Sequence, residues 1–296
     1  MHPCPEYHLL AADRPWWRGL VEALLLVAFF LAFTVAAFAF LDLTGDMESQ
    51  LAIVFSLALT LPAAFLAARV AGRDPALLVS VAGRVRWPIV FRSSLVMLVL
   101  FGLTTPWEDI DFTPILLMYV LITPFQAASE EFVFRGAIPQ IVGTWVRSPW
   151  VAYAIPVIPF VALHEYNWIG LTDILVFALC VSVLVWYTGG LEAAVVMHAF
   201  NNISVFFIEP DASPTELGWV DLAFSSAFTI GTTLLLLAAN LRAQLAISPG
   251  MRLTKRLTIS RRTSCPAPML HPPTPTTCTP GSSPGSAWRN NATDSG

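Results

Sequence analysis

Six side chains in three stretches of the sequence are of types that could together hydrolyse a bond: Glu130, Glu131, Arg135, His164, His198 and Asn202. Glu130 and Glu131 sit side by side in Gln126-Ala127-Ala128-Ser129-Glu130-Glu131-Phe132-Val133-Phe134-Arg135, at the end of an apolar run. At about 100° per helical residue, Glu131 and Arg135 fall roughly 40° apart and can pair at i,i+4. Glu130 points about 100° away from Glu131, on the stripe it shares with Gln126 and Phe134. That spacing suggests a division of labour in which Glu131 holds Arg135 and Glu130 is left free to act. His164 follows Phe160 by four residues and shares its helical face. In Met197-His198-Ala199-Phe200-Asn201-Asn202, His198 and Asn202 face one way, with Asn201 to the other side of His198.

A glutamate can take a proton from water, and a histidine can position that water or transfer protons. His and Asn can donate to a carbonyl oxygen as it becomes an oxyanion. A second route gives His164, His198 and Glu130 a zinc ion, which would lower the pKa of its bound water. Both routes are hydrolytic. Each stretch also has a plainer reading. Glu130, Glu131 and Arg135 could mark the cytoplasmic end of a span, His164 an interface, and His198 with Asn202 a hydrogen-bonded helix contact.

The elements that must position these residues follow from composition. Of 296 residues, 56% are hydrophobic and 12% charged, with a mean hydropathy of +0.67. Average soluble domains carry about 25% charged residues, so this chain cannot cover a globular surface with hydrated groups. The expected fold class is all-α: a polytopic membrane helix bundle of about eight transmembrane helices. Apolar runs of spanning length (about 20 residues) cover 20–41, 51–71, 114–134, 189–208 and 219–241, with weaker runs near 88–105, 149–168 and 171–188. Basic and acidic loops alternate along the chain, from Arg14 and Arg18 through Asp42, then Arg69, Arg73, Arg84 and Arg86, to the basic residues after the last span. The positive-inside rule then puts both termini in the cytoplasm. Straight helices would leave Glu130 and His164 at opposite ends of their spans. Their convergence requires span five to break or tilt, and Pro156 and Pro159 supply a cause.

Residues 1–19 read as a cytoplasmic segment, 20–246 as the transmembrane domain with its motif core at about 88–208, and 247–296 as a disordered Pro/Ser/Thr-rich cytoplasmic tail. The first apolar run exceeds a signal-peptide h-region and is expected to remain as an anchor. Cys4, Cys180, Cys265 and Cys278 share no short spacing, which indicates neither a zinc knot nor a disulfide framework. No basic patch with interleaved aromatics supports nucleic-acid binding.

Glu130-Glu131-x-x-x-Arg135, Phe160-x-x-x-His164 and His198-x-x-x-Asn202 resemble, in order, the three motifs of the CPBP family, the CAAX-protease and bacteriocin-processing membrane proteins also called Abi. The resemblance spans about 88–208 and implies a multi-pass intramembrane endopeptidase in the cell membrane, of the CAAX-prenyl-protease type. It implies Glu130 as the residue that activates water, His164 as its assistant, and His198 and Asn202 as oxyanion donors, with Glu131 and Arg135 in support. The family is usually labelled metalloprotease, and a metal-independent glutamate mechanism fits the same residues. Implied partners are membrane lipids and a peptide or membrane-protein substrate. His-Glu-x-x-His, Gly-x-Ser-Gly and Gly-x-Gly-Asp, which mark other intramembrane proteases, are missing. The competing expectation is a non-catalytic membrane interaction or immunity protein, or a proton-coupled transporter using the same buried groups. No paired repeats of the transporter kind are visible.

Overall fold

Apolar side chains run continuously through most of the sequence, and the chain answers by burying its backbone polar groups in helices. The computed structural model describes residues 7–44, 49–208 and 217–245. Its helices are α1 (Trp16–Thr44), α2 (Ser49–Leu59), α3 (Pro62–Val70), α4 (Trp87–Thr104), α5 (Pro114–Glu131), α6 (Ile138–Val142), α7 (Pro149–Ala162), α8 (Trp168–Thr188), α9 (Glu192–Ile208) and α10 (Trp219–Leu245). A π-helical segment, Phe132–Ala137, joins α5 to α6. Among the described residues the β content is one isolated bridge, Ser80 to Gly190. The all-α polytopic expectation therefore holds.

Local chemistry sets several of the boundaries. Thr113 accepts from the Leu116 N–H and Pro114 follows it, which starts α5. Asn167 caps α8 in the same way through the Gly170 N–H, and Gly189 ends that helix at φ +69°. The second predicted span is divided: Pro62 lacks the N–H that a continuous helix would use, so α2 stops at Leu59 and α3 restarts at Pro62. Pro156 and Pro159, the expected cause of a break or tilt in span five, do not interrupt the helix. Both lie inside one continuous α7, which is simply short at 14 residues and ends at Ala162.

Among the described residues, five helical stretches are long and apolar enough to cross a membrane: Trp16–Asp42, Gln50–Val70, Trp87–Thr104, Trp168–Thr188 and Trp219–Leu241. The other three predicted spans correspond to α5, α7 and α9, at 18, 14 and 17 residues. These shorter helices carry the three motifs. α5 packs between α2 and α9, α9 also packs against α4 and α8, and α7 lies against α8. Large apolar side chains such as Leu31, Val35, Phe91, Leu95 and Phe224 remain exposed on α1, α4 and α10. In a multi-pass membrane protein those faces meet lipid, and the interior is where polar groups collect. Ala63, Ala64, Ala67 and Ala68 form a buried small-residue face on α3, which packs closely on α1.

Three charges counted as loop markers are structural instead. Arg73 is buried and pairs with Glu22 of α1 and with Gln140 of α6. Arg14 reaches the same Glu22 at 2.6 Å. Arg86 pairs with Glu192 at 2.6 Å, and its Nη1 caps the C-terminal end of α8 through the Thr188 carbonyl.

Residues Tyr7–Leu9 form a buried turn packed against α6. The Tyr7 hydroxyl donates to the Leu78 carbonyl, and His8 Nε2 donates to the Arg147 carbonyl at 3.0 Å. Burial lowers the pKa of His8 and outweighs the opposing pull of that carbonyl. A Cβ at Gly143 would overlap the His8 carbonyl oxygen, whereas one at Gly102 meets nothing within 4 Å. Gly143→Ala should therefore cost about 1–3 kcal/mol by forcing the turn off α6. Gly102→Ala should leave the thermal unfolding midpoint unchanged or raise it. Thermal unfolding of the purified variants measures the difference. Cys4, Cys265, Cys278 and the predicted tail lie outside the described residues.

Candidate active site

α5 delivers two carboxylates into the bundle at its last turn. Glu130 is 8% exposed, Glu131 0%, Arg135 1% and His198 2%. Charges this deeply buried need partners, and Glu131 has two. Its Oε1 accepts from Arg135 Nη1 at 3.1 Å and from His198 Nδ1 at 2.7 Å. The expected i,i+4 pair thus forms, although α5 gives way to the π-helix directly after Glu131. π-segments are rare and recur at functional sites. Here the segment carries Arg135, whose guanidinium carbon lies 3.9 Å from the centroid of the Phe160 ring, a cation–π contact.

A carboxylate can only accept, so the Glu131 contact puts a hydrogen of His198 on Nδ1. The other nitrogen, Nε2, lies 3.5 Å from Glu130 Oε2. That oxygen is buried and has no hydrogen-bond partner among the described residues. Glu130 Oε1, by contrast, accepts from Gln126 Nε2 at 2.6 Å. Gln126 Oε1 accepts in turn from Asn202 Nδ2 at 3.0 Å, and Asn202 Oδ1 accepts from Asn201 Nδ2 at 3.3 Å. Beside this chain, the Thr60 and Ser129 hydroxyls lie 2.5 Å apart and tie the α2–α3 break to α5 next to Glu130.

Aromatic rings wall the cluster. Phe160 stands edge-on to Phe134 at 5.2 Å and to His198 at 6.2 Å, and Phe177 lies 5.1 Å from His198 on another side. Phe160 is thus the spacer between the first and third motifs. His164 follows the end of α7, half-buried, with its ring 4.8 Å from Phe160. Its Nδ1 donates to the Phe160 carbonyl at 2.7 Å, which leaves Nε2 with the lone pair. Tyr166, 6.2 Å from His164, has its pKa raised by burial and then by Asp173, so its hydroxyl keeps its proton.

Glu130, Glu131, Arg135, His198 and Asn202 therefore meet in one connected network, and His164 joins it through Phe160. Among the described residues no three His, Cys, Asp or Glu side chains are grouped so as to hold a metal ion. A catalytic zinc takes three protein ligands. Glu130 and His198 face each other, but His164 does not complete a set with them, so as arranged these residues do not fit one. Sequence reasoning missed the bridging part of Gln126, for which its i,i+4 spacing to Glu130 was the available signal. It also missed Glu22, a lone acid inside the first apolar run, and Glu192.

Residues 110–204, about a third of the chain, match the family model described as type II CAAX prenyl endopeptidase Rce1-like. The matched segment contains all three motifs and is similar to that family. Neither the curated proteins nor the solved structures contain a significant match to the chain.

Proposed function

We propose that this chain, with a CAAX-protease core, is an intramembrane endopeptidase in which Glu130 takes the proton from the attacking water. The observation that carries this reading is Glu130 itself: a buried carboxylate with one oxygen held by Gln126 and the other unpartnered beside His198. In the proposed reaction Oε2 removes a proton as the water oxygen attacks the scissile carbonyl carbon. The carbonyl oxygen becomes an oxyanion, stabilised by the second Nδ2 hydrogen of Asn202 and by an N–H at Nε2 of His198. Glu131 accepts from Nδ1 and orients the ring, and Arg135 holds Glu131 in place. Protonated Glu130 then passes its proton to the leaving nitrogen as the C–N bond breaks, so water is divided between the two products. His164, with Nδ1–H committed to the Phe160 carbonyl, offers Nε2 as acceptor to the water or as relay to the leaving group.

The proposed substrate is a membrane-associated peptide, and the printed description of the matching family makes a prenylated CAAX C-terminus the first to test. The assay is mass spectrometry of a farnesylated CAAX-type peptide incubated with the protein in cell-membrane-like proteoliposomes. A shortened peptide is expected. If Glu130→Gln, His164→Ala and His198→Ala each leave a cellular phenotype and peptide turnover untouched, a non-catalytic or transport role replaces this one.

The route through Glu130 needs no metal. Elemental analysis of purified protein should give less than stoichiometric zinc, and chelation followed by dialysis should leave cleavage intact. Stoichiometric zinc that disappears in His198→Ala would reject this route and leave a metal-dependent protease in its place.

A further inference from the structure

We infer that Gln126 is a positioning residue that selects which oxygen of Glu130 acts as the base; this rests on the role proposed for Glu130. Gln126 lies one helical turn before Glu130 on α5 and is 4% exposed. A buried primary amide is costly unless its donors and acceptor are used. Gln126 uses both ends within the site: Nε2 donates to Glu130 Oε1 at 2.6 Å, and Oε1 accepts from Asn202 Nδ2 at 3.0 Å. The bridge has a direction. A carboxylate only accepts and an amide nitrogen only donates, so turning Gln126 over would set oxygen against oxygen and nitrogen against nitrogen.

Three consequences follow for the reacting groups. Glu130 Oε1 is occupied, so Oε2, the unpartnered oxygen 3.5 Å from His198, is the one that meets water. Asn202 is held at both ends, by Gln126 on its nitrogen and by Asn201 on its oxygen, with one N–H left over. The same amide links α5 to α9 at the two groups that must act on opposite sides of one carbonyl. Gln126 touches neither substrate nor water in this scheme. It sets the angle between base and oxyanion donor, and misplacements of order 1 Å cost about 10²-fold in rate.

The test uses the full-length protein in proteoliposomes with the farnesylated CAAX-type peptide. Gln126→Met keeps the volume and removes both hydrogen bonds. Its kcat should fall about 10–100-fold with KM changed by less than about threefold. Adding Asn202→Leu should lower the rate no further than the worse single variant, because the two side chains act as one unit. Gln126→Glu supplies a second readout that a merely structural role would not move. When protonated it offers one donor and one acceptor in the same shape; when ionised it repels Glu130. Its rate relative to the parent protein should therefore be highest at acidic pH and fall as pH rises. An unchanged kcat in Gln126→Met, with Glu130→Gln inactive, overturns the inference and spares the proposed function. Full activity in Glu130→Gln overturns both. Should Gln126→Met fail to fold, a Gln126→Glu profile parallel to the parent protein overturns the inference.

Discussion

Glu130→Gln protein should fold, bind peptide and fail to cut it. The substitution keeps the size of the side chain and leaves an oxygen to accept from Gln126. The network around it therefore survives, and with it the thermal stability. What is lost is the proton acceptor. General-base removal costs roughly 10²–10⁴-fold in kcat, or about 3–5 kcal/mol of transition-state stabilisation. KM should stay near that of the parent protein. A variant that loses stability and turnover together would make Glu130 a structural residue.

Arg135→Leu should show the opposite pattern, with stability lost first. Its guanidinium is completely enclosed, pairs with Glu131 and stacks on Phe160. Leucine leaves Glu131 as a buried carboxylate whose remaining partner is His198. Removing one member of a buried pair costs about 3–5 kcal/mol, largely because the other charge is stranded. Replacing both members, Glu131→Leu with Arg135→Leu, should recover much of the stability and none of the activity, because His198 would then lose the acceptor that fixes its tautomer. Thermal unfolding and turnover measured on the same preparations separate these effects. Equal unfolding midpoints for Arg135→Leu and the parent protein would mean that the pair contributes nothing to folding.

The helices were legible in the sequence because lipid imposes a blunt rule: long apolar runs with charge confined to their ends. All eight predicted runs correspond to helices. The divided second span was harder to read, since Pro62 lies within an apolar run and hydropathy does not register a missing N–H. The π-helix was invisible for a related reason. Facing relations reckoned at 3.6 residues per turn continue smoothly past Glu131, where the backbone does not. Even so, the pairing of Glu131 with Arg135 came out as expected, because the contact starts on the α-helical side of the junction.

The polar residues of the site could be found because charges inside apolar runs are expensive and need a reason. Their division of labour was partly visible: Glu131 and Arg135 share a face, and Gln126 and Glu130 share another. What no spacing within one helix could give was the partner across the bundle. That His198 faces both carboxylates, that Asn202 closes on Gln126, and that Arg73 leaves its loop to meet Glu22 are properties of how helices pack. The approach of His164 needs a break or tilt of span five on the sequence alone; α7 stays continuous through Pro156 and Pro159 and ends at Ala162, and Phe160 rather than His164 makes the contacts with the other motifs.

The central claim is that Glu130 activates water for peptide hydrolysis, and peptide capture tests it most directly. Parent protein and Glu130→Gln protein, each in proteoliposomes, are incubated with a farnesylated CAAX-type peptide carrying a photo-crosslinker, then irradiated and analysed by mass spectrometry. The account predicts shortened peptide from the parent protein and intact peptide crosslinked to Glu130→Gln. Shortened peptide released at the same rate by both proteins would contradict it.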